Sequence, residues 1–243
     1  MRLISRLDIK YPNLIKGIHL EGLKIIGDPI EFAKKYYNQG IDELLIIDSV
    51  ASLYDREPCF DLLNRITKNI FCPITIGGGI KNLEIALDIL NSGADKISIN
   101  TSAVRNPNLI KNISEKIGSQ SVIVSIEAKK RSKNFWEVFI ENGREPTKIS
   151  VIDWIKKANK YGCGEILLTS VDLEGTRLGF DYNLYRIASR VSKTPIIASG
   201  GAGKVEHLKR LFSKTNCSAV AIADLLHVQK ENIEKIKSDL KLR

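Results

Sequence analysis

"PITIGGGI" (residues 73–80) and "PIIASGGAG" (residues 195–203) are two versions of one sentence. Each runs from a proline through apolar, β-branched residues into a glycine cluster. A short run that is apolar throughout and closed by glycine reads as a strand buried on both faces, as in a parallel sheet. The interval from Pro73 to Pro195 also separates Glu43 in "DELLIIDS" from Glu165 in "GEILLTSVD". Nearly the same interval separates Asp8 in "RLDIK" from Glu127 in "SIEAK". The second half of the chain therefore repeats the plan of the first.

Working outward from the two glycine clusters, the Val, Ile and Leu runs predict eight strands, at 3–9, 43–48, 74–77, 96–100, 121–127, 165–169, 196–199 and 219–223. Helical patterns lie between them. In "GDPIEFAKKYY" Asp28 is the expected N-cap, with Pro29 at the first helical position and Glu31 three residues after the cap. "RNPNLIKNI" repeats the device with Asn106 and Pro107. Eight strand–helix units in 243 residues predict an α/β fold, a closed (β/α)8 barrel with two-fold half-barrel pseudosymmetry and one domain over residues 1–243. A doubly wound open sheet is the alternative, but the G-x-G-x-x-G expected after its first strand is missing.

Two segments break the rhythm. "NFWEVFIENGREPTK" alternates apolar and polar residues around Asn142 and Gly143, which predicts a β-ribbon insertion near residues 134–148, above the barrel mouth. The stretch 10–27 reads as a second mouth loop.

Composition narrows the classes. Hydrophobic residues at 43% and charged residues at 27% exclude a disordered chain. No apolar run approaches membrane-spanning length, and "MRLISRLDIK" carries charges where a signal peptide needs an apolar core, so a cytoplasmic protein is expected. Cys59, Cys72, Cys163 and Cys217 lack C-x-x-C spacing and read as reduced thiols. The net charge of +9 could serve nucleic acid, an anionic membrane or a phosphorylated small molecule; spread as lysines over most helices with no arginine stripe, it reads as a solvated surface, with nucleic acid as the weaker alternative, and no nucleic-acid or membrane partner is expected. His19, His207 and His227 show no ligand spacing, so neither a metal nor a cofactor is expected.

In such barrels chemistry sits where the strands end. The clusters at Gly77–Gly79 and Ser199–Gly201 fall there, where backbone N–H groups can approach an anion, with "INTSA" and "IADLL" as second walls. Two phosphate sites on opposite sides of the mouth are expected; glycines that merely permit tight turns are the plainer reading. Asp8 and Glu127 end strands one and five, facing each other as a carboxylate pair for general acid–base work. Alternatively, each is half of a structural ion pair, with Lys10, Lys16 or Lys129 as partner. At the opposite end, Arg2, Glu43, Lys96 and Glu165 start strands and could form a ring of alternating charge, or remain separate solvated charges.

The ordered motifs "LDIK", "IDELLIID", "GGGI", "GADKISINTSAV", "GSQSVIVSI", "GEILLTSVDLEGT" and "PIIASGGAGK" resemble the cyclase subunit of imidazole glycerol phosphate synthase over essentially the full length. The resemblance implies a duplicated barrel that holds a substrate with a phosphate at each end. Its contacts would be Lys16, Gly78, Gly79, Asn100, Thr101, Thr169, Gly175, Gly200, Gly201, Ala223 and Asp224. It implies Asp8 and Glu127 as the catalytic positions, and Arg2, Glu43, Lys96 and Glu165 as an ammonia gate. A glutamine amidotransferase (glutaminase) subunit would dock on the gate face, forming a heterodimer. The implied activity is a lyase of histidine biosynthesis that cleaves and cyclises a bisphosphorylated intermediate.

Three positions depart from the pattern. Glu127 replaces an aspartate, moving the carboxylate by one carbon–carbon bond. Asp224 replaces a small residue at a phosphate cradle, and must turn away or pair with a cation. Arg6 occupies an inward position that is normally small and needs a buried anion, with Glu127, Asp48 or Asp224 as candidates. Such coupled changes are similar to a sibling branch linked to amidination of surface-polysaccharide sugars. A non-catalytic, glutaminase-binding scaffold is a further alternative, as is an isomerase of the preceding pathway step; an isomerase would not need the charge ring.

Overall fold

The computed structural model describes residues 1–228 and 231–241. In chain order its strands are β1 (Arg2–Lys10), β2 (Asn13–Ile18), β3 (Glu21–Gly27), β4 (Glu43–Asp48), β5 (Ile74–Gly77) and β6 (Lys96–Ile99). The second half contributes β7 (Val122–Ser132), β8 (Phe135–Ile140), β9 (Glu145–Ser150), β10 (Glu165–Ser170), β11 (Ile196–Ser199) and β12 (Ala219–Ile222). Parallel pairing runs β1–β4–β5–β6–β7–β10–β11–β12 and returns from β12 to β1, with Arg2 opposite Ala219. Eight parallel strands thus close on themselves, with helices following them on the outside: a (β/α)8 barrel.

Closure follows from the side-chain alternation along each strand. On β1, Leu3, Leu7 and Ile9 pack outward in the layer shared with the helices. Ile4 turns inward and joins Leu45, Ile123, Leu167, Ile197, Ala219 and Ala221 in a separate apolar cluster inside the barrel. Burying each large side chain is worth about 1.5–3 kcal/mol, and the two layers together fix the register, because a one-residue slip would exchange them.

Helix Pro29–Asn38 starts as its sequence signals, with the Asp28 carboxylate accepting from the backbone N–H of Ile30 at 2.6 Å and of Glu31 at 3.3 Å. The second expected cap does not form. Helix Asn108–Ile117 begins without a side-chain cap, and Asn106 instead ends the preceding short helix Thr101–Arg105. Asn106 is extended, but its backbone carbonyl rather than its side chain meets the next N-terminus, accepting the Leu109 N–H at 3.0 Å.

Residues 10–27 are not an irregular loop. They form the antiparallel hairpin β2–β3, continued from β1 by pairing of Ile9 with Leu14 and of Lys10 with Asn13. β7 likewise runs past the barrel rim and pairs antiparallel with β8, which pairs with β9. The β8–β9 turn places Glu141, Asn142 and Gly143 at positive φ (53°, 57° and 75°), the backbone that makes Asn-Gly a hairpin signal. Hydrogen bonds lace these ribbons to each other and to the segment after β10. The backbone N–H of His19 donates to Glu174 O (2.8 Å), Asn142 Nδ2 to Leu20 O (3.1 Å), the Lys130 N–H to Asp172 (2.7 Å) and Trp136 Nε1 to Asp181 (2.8 Å).

Candidate functional site

The inward positions of β1 read, from the strand's start, Arg2, Ile4, Arg6 and Asp8, and each level meets residues of like character on other strands. At the bottom, Arg2, Glu43, Lys96 and Glu165 are the first residues of β1, β4, β6 and β10. They close into a ring: Arg2 reaches Glu43 at 2.5 Å and Glu165 at 2.6 Å, while Lys96 reaches Glu165 at 2.8 Å and Glu43 at 3.4 Å. Burial alone would disfavour these charges. At Glu165 the bonds from Arg2 and Lys96 overcome that penalty and hold its carboxyl below the ordinary value. At Arg2 the two glutamates likewise outweigh burial and raise its pKa.

At the mouth, Asp8 is buried and receives Arg6 Nε on Oδ1 at 2.8 Å, with Lys16 Nζ 3.9 Å from Oδ2. Burial pushes the Asp8 carboxyl up, but Arg6 and Lys16 together bring it below the usual aspartate range. Glu127 has the opposite balance. Burial dominates and pushes it up to about 7, against the Gly143 backbone N–H that donates to Oε2 at 2.7 Å and the more distant charge of Arg6. Two carboxyls with pKa values driven apart by their surroundings suit complementary proton-transfer roles.

Arg6 finds its anion two residues along its own strand, in Asp8, and not in the expected Glu127, Asp48 or Asp224. Asp48 pairs with Arg56 at 3.4 Å. Asp224 is held by Arg177 through two hydrogen bonds, one of them 3.2 Å. The carboxylate that would repel a phosphate therefore meets a guanidinium.

The first glycine cluster opens onto a cavity of about 300 Å³ lined by Arg6, Asp48, Gly78, Gly79, Asn100, Thr101 and Glu127, among others. Gly78 and Gly79 take φ of 94° and 72°, and a Cβ on Gly79 would stand 2.7 Å from the Arg56 carbonyl oxygen. Ser98 Oγ is buried there without a hydrogen-bond partner, and the buried Asn100 amide stands beside Glu127 with no partner at good hydrogen-bond geometry. Buried orphans of this kind call for a ligand or ordered water. Thr101 Oγ1 accepts the Glu141 N–H at 3.1 Å.

In the second half, Gly200 and Gly201 repeat the geometry at φ of 101° and 102°. Their turn is closed by neighbouring segments: Gly179 N–H donates to Gly201 O at 2.8 Å, and Gly175 packs against Gly17. Thr169 accepts Arg6 Nη1 at 3.0 Å, Lys16 pairs with Glu174, and Ala223 precedes Asp224 at the end of β12. The structure brings Gly78, Gly79, Asn100, Thr101 and Glu127 around one cavity. Lys16, Thr169, Gly175, Gly200, Gly201, Ala223 and Asp224 lie across the mouth in a closed arrangement.

Sequence reasoning missed Glu174, Arg177 and Gly143. Glu174 and Arg177 sit within the quoted "VDLEGTR" stretch but have no strand-end position to single them out, and Gly143 acts through its backbone.

A duplicated (β/α)8 barrel with a carboxylate pair at its mouth and a charged ring at its base is the framework of an enzyme. The chain belongs to the histidine biosynthesis protein family, whose model matches residues 2–232. It is 53% identical over 206 residues to the imidazole glycerol phosphate synthase subunit HisF of Legionella pneumophila, covering 85% of this chain and 97% of that one. It is 43% identical to the HisF subunit of Clostridium botulinum (strain Okra / Type B1), covering 99% of this chain and 95% of the relative. To that of Prochlorococcus marinus (strain AS9601) it is 42% identical, covering 99% and 94%.

Proposed function

We propose that the chain is the cyclase subunit of imidazole glycerol phosphate synthase, a lyase of histidine biosynthesis. The observation that carries this reading is the alignment of three levels along the barrel axis: a ring of paired charges at the strand starts, an apolar interior, and two carboxyls at the strand ends. Ammonia is small and neutral, so an apolar interior admits it while disfavouring ammonium. A glutamine amidotransferase partner docked over Arg2, Glu43, Lys96 and Glu165 would release ammonia at the ring, which acts as its gate.

At the mouth the bisphosphorylated ribulosyl aminoimidazole carboxamide intermediate lies between the two glycine turns. Gly78, Gly79, Asn100 and Thr101 hold one phosphate. Gly175, Gly200, Gly201 and Ala223 hold the other, and Arg177 exchanges Asp224 for it. Lys16 and Thr169 face the linker between the phosphates. Asp8 and Glu127 move protons as ammonia adds and the ring closes, giving imidazole glycerol phosphate and an aminoimidazole carboxamide ribonucleotide.

The test is turnover of that bisphosphate by the purified chain alone, in excess ammonium salt at mildly alkaline pH, which bypasses the glutaminase. Formation of both products, abolished in Asp8→Asn, is expected. No turnover by the native chain or by Glu127→Asp would overturn the reading and direct the search to a sugar acceptor. Turnover in the complex that is unchanged by Asp8→Asn would leave only a scaffold.

A further inference from the structure

Arg6 stands at the one level of the barrel that the charged ring, the apolar cluster and the glycine turns leave unexplained. It is 3% exposed and borders the cavity floor. Its guanidinium spans three strands: Nε bonds Asp8 on β1, and Nη1 bonds Thr169 Oγ1 on β10 at 3.0 Å and Ser199 Oγ on β11 at 3.2 Å. A planar fork fixed at three points has little freedom to turn. Its backbone is fixed as well. The Arg6 carbonyl lies 2.9 Å from His227 Nε2, and His227 Nδ1 lies 2.6 Å from Tyr36 Oη. Burial lowers His227 to about 4, so the ring is neutral and carries one proton. A carbonyl can only accept, so Nε2 bears the proton and Nδ1 accepts from Tyr36.

The two mouth carboxyls are therefore served by different chemistry. Asp8 faces cations from two elements, Arg6 on β1 and Lys16 on β2, with neutral His227 behind. Glu127 on β7 is bonded by the uncharged N–H of Gly143 and approached by the amide of Asn100, and meets the charges of Arg6 and Asp8 only through space, the first favouring its ionised form and the second opposing it. Of the other charged groups, Glu174 is taken up by Lys16 and Asp224 by Arg177.

We infer that Arg6 is a positioning residue that divides proton transfer between the two carboxyls: bonded to Asp8, it keeps that group an ionised base and leaves Glu127 as the proton carrier. The assignment rests on the cyclase reading for its acceptor, a carbonyl. As ammonia adds, the C–N bond forms and the carbonyl π bond opens. Glu127 gives its proton to that oxygen, and one N–H proton passes to Asp8. Carbonyl and ammonia become a carbinolamine, and the number of protons on the carboxyl pair is unchanged.

The experiment is a ¹³C NMR titration from pH 5 to 9 of protein labelled at the Asp and Glu carboxyls, without substrate, in the native chain, Arg6→Met and Arg6→Lys. Glu127→Gln and Asp8→Asn assign the two signals. In the native chain Glu127 is expected to titrate at about 7 and Asp8 to stay ionised throughout. Arg6→Met leaves burial of Asp8 opposed by Lys16 alone and is expected to bring its titration into this range, and Arg6→Lys to take most of it out again. Native Asp8 titrating within this range, or Arg6→Met leaving its curve unmoved, would overturn the assignment. The native titration decides even if Arg6→Met does not fold. Because no substrate is present, failure of the cyclase reading would appear only in turnover and failure of the Arg6 assignment only in the titration.

Discussion

The Gly143 backbone N–H reaches Glu127 Oε2 at 2.7 Å, so the tip of one ribbon is hydrogen-bonded to a carboxyl of the barrel itself. Gly143 holds φ of 75° to make this bond. In Gly143→Ala the left-handed backbone costs about 1–2 kcal/mol, and the tip is expected to shift. Losing this donor removes an interaction that favours the ionised form, so the pKa of Glu127 should rise further. Carboxyl NMR reads it directly; an unchanged titration would show that the tip keeps its hold on Glu127 despite the strain.

Glu127 also makes stability depend on pH. Its folded pKa of about 7 exceeds the ordinary 4.5, so the folded chain binds the proton more tightly. The associated stability is full below about pH 4.5 and is lost as pH rises through about 7, by roughly 3 kcal/mol in all. Glu127→Gln cannot ionise and should gain on the native chain by up to that amount between pH 5 and pH 8.5. Urea unfolding at the two pH values measures the difference, and an equal offset at both would exclude a buried, titrating Glu127.

Lys96→Met should cost about 1–3 kcal/mol, because Glu43 and Glu165 would then share Arg2 alone. Adding Glu165→Gln should recover part of the loss, with a coupling of at least about 0.5 kcal/mol in a double-mutant cycle read by urea unfolding. Additive losses would mean that the ring is not a unit. With the proposed glutaminase partner bound, Lys96→Met should lower glutamine-driven turnover while ammonium-driven turnover persists.

At Gly201, φ is 102° and a Cβ would collide with the Gly179 carbonyl oxygen, whereas Gly22, at φ 60°, has open space around it. Gly201→Ala should therefore cost about 3 kcal/mol, combining strain with a backbone displacement. Gly22→Ala should cost only the strain, about 1 kcal/mol. Thermal unfolding ranks the two, and equal losses would remove close approach as the reason for Gly201.

The barrel was legible because its signals are local. A strand such as Ile74–Gly77 is apolar on every position and ends in glycine, and Glu43 and Glu165 announce the repeat at one fixed interval. The ring and the carboxylate pair followed from position along the strands. The β2–β3 hairpin did not, since its exposed Glu21, Lys24 and Ile25 show no clean alternation. Nor did the pairing of Arg6 with Asp8 in place of a cross-barrel acid, because a side chain's direction depends on the Thr169 and Ser199 hydroxyls that three-dimensional closure supplies. The Arg177–Asp224 pair joins a loop to the far end of β12, a meeting no sequence interval encodes.

The lacing of the ribbons across the mouth has a consequence for motion. His19, Lys130 and Gly143 come from three separate segments, and each amide is satisfied by a residue of another segment. Because the His19 and Lys130 acceptors lie in one loop and Asn142 bonds Leu20, their hydrogen–deuterium exchange is expected to follow one shared opening event. A ligand that touches any one segment should then slow exchange in all three, the rim of the barrel responding as a single elastic body.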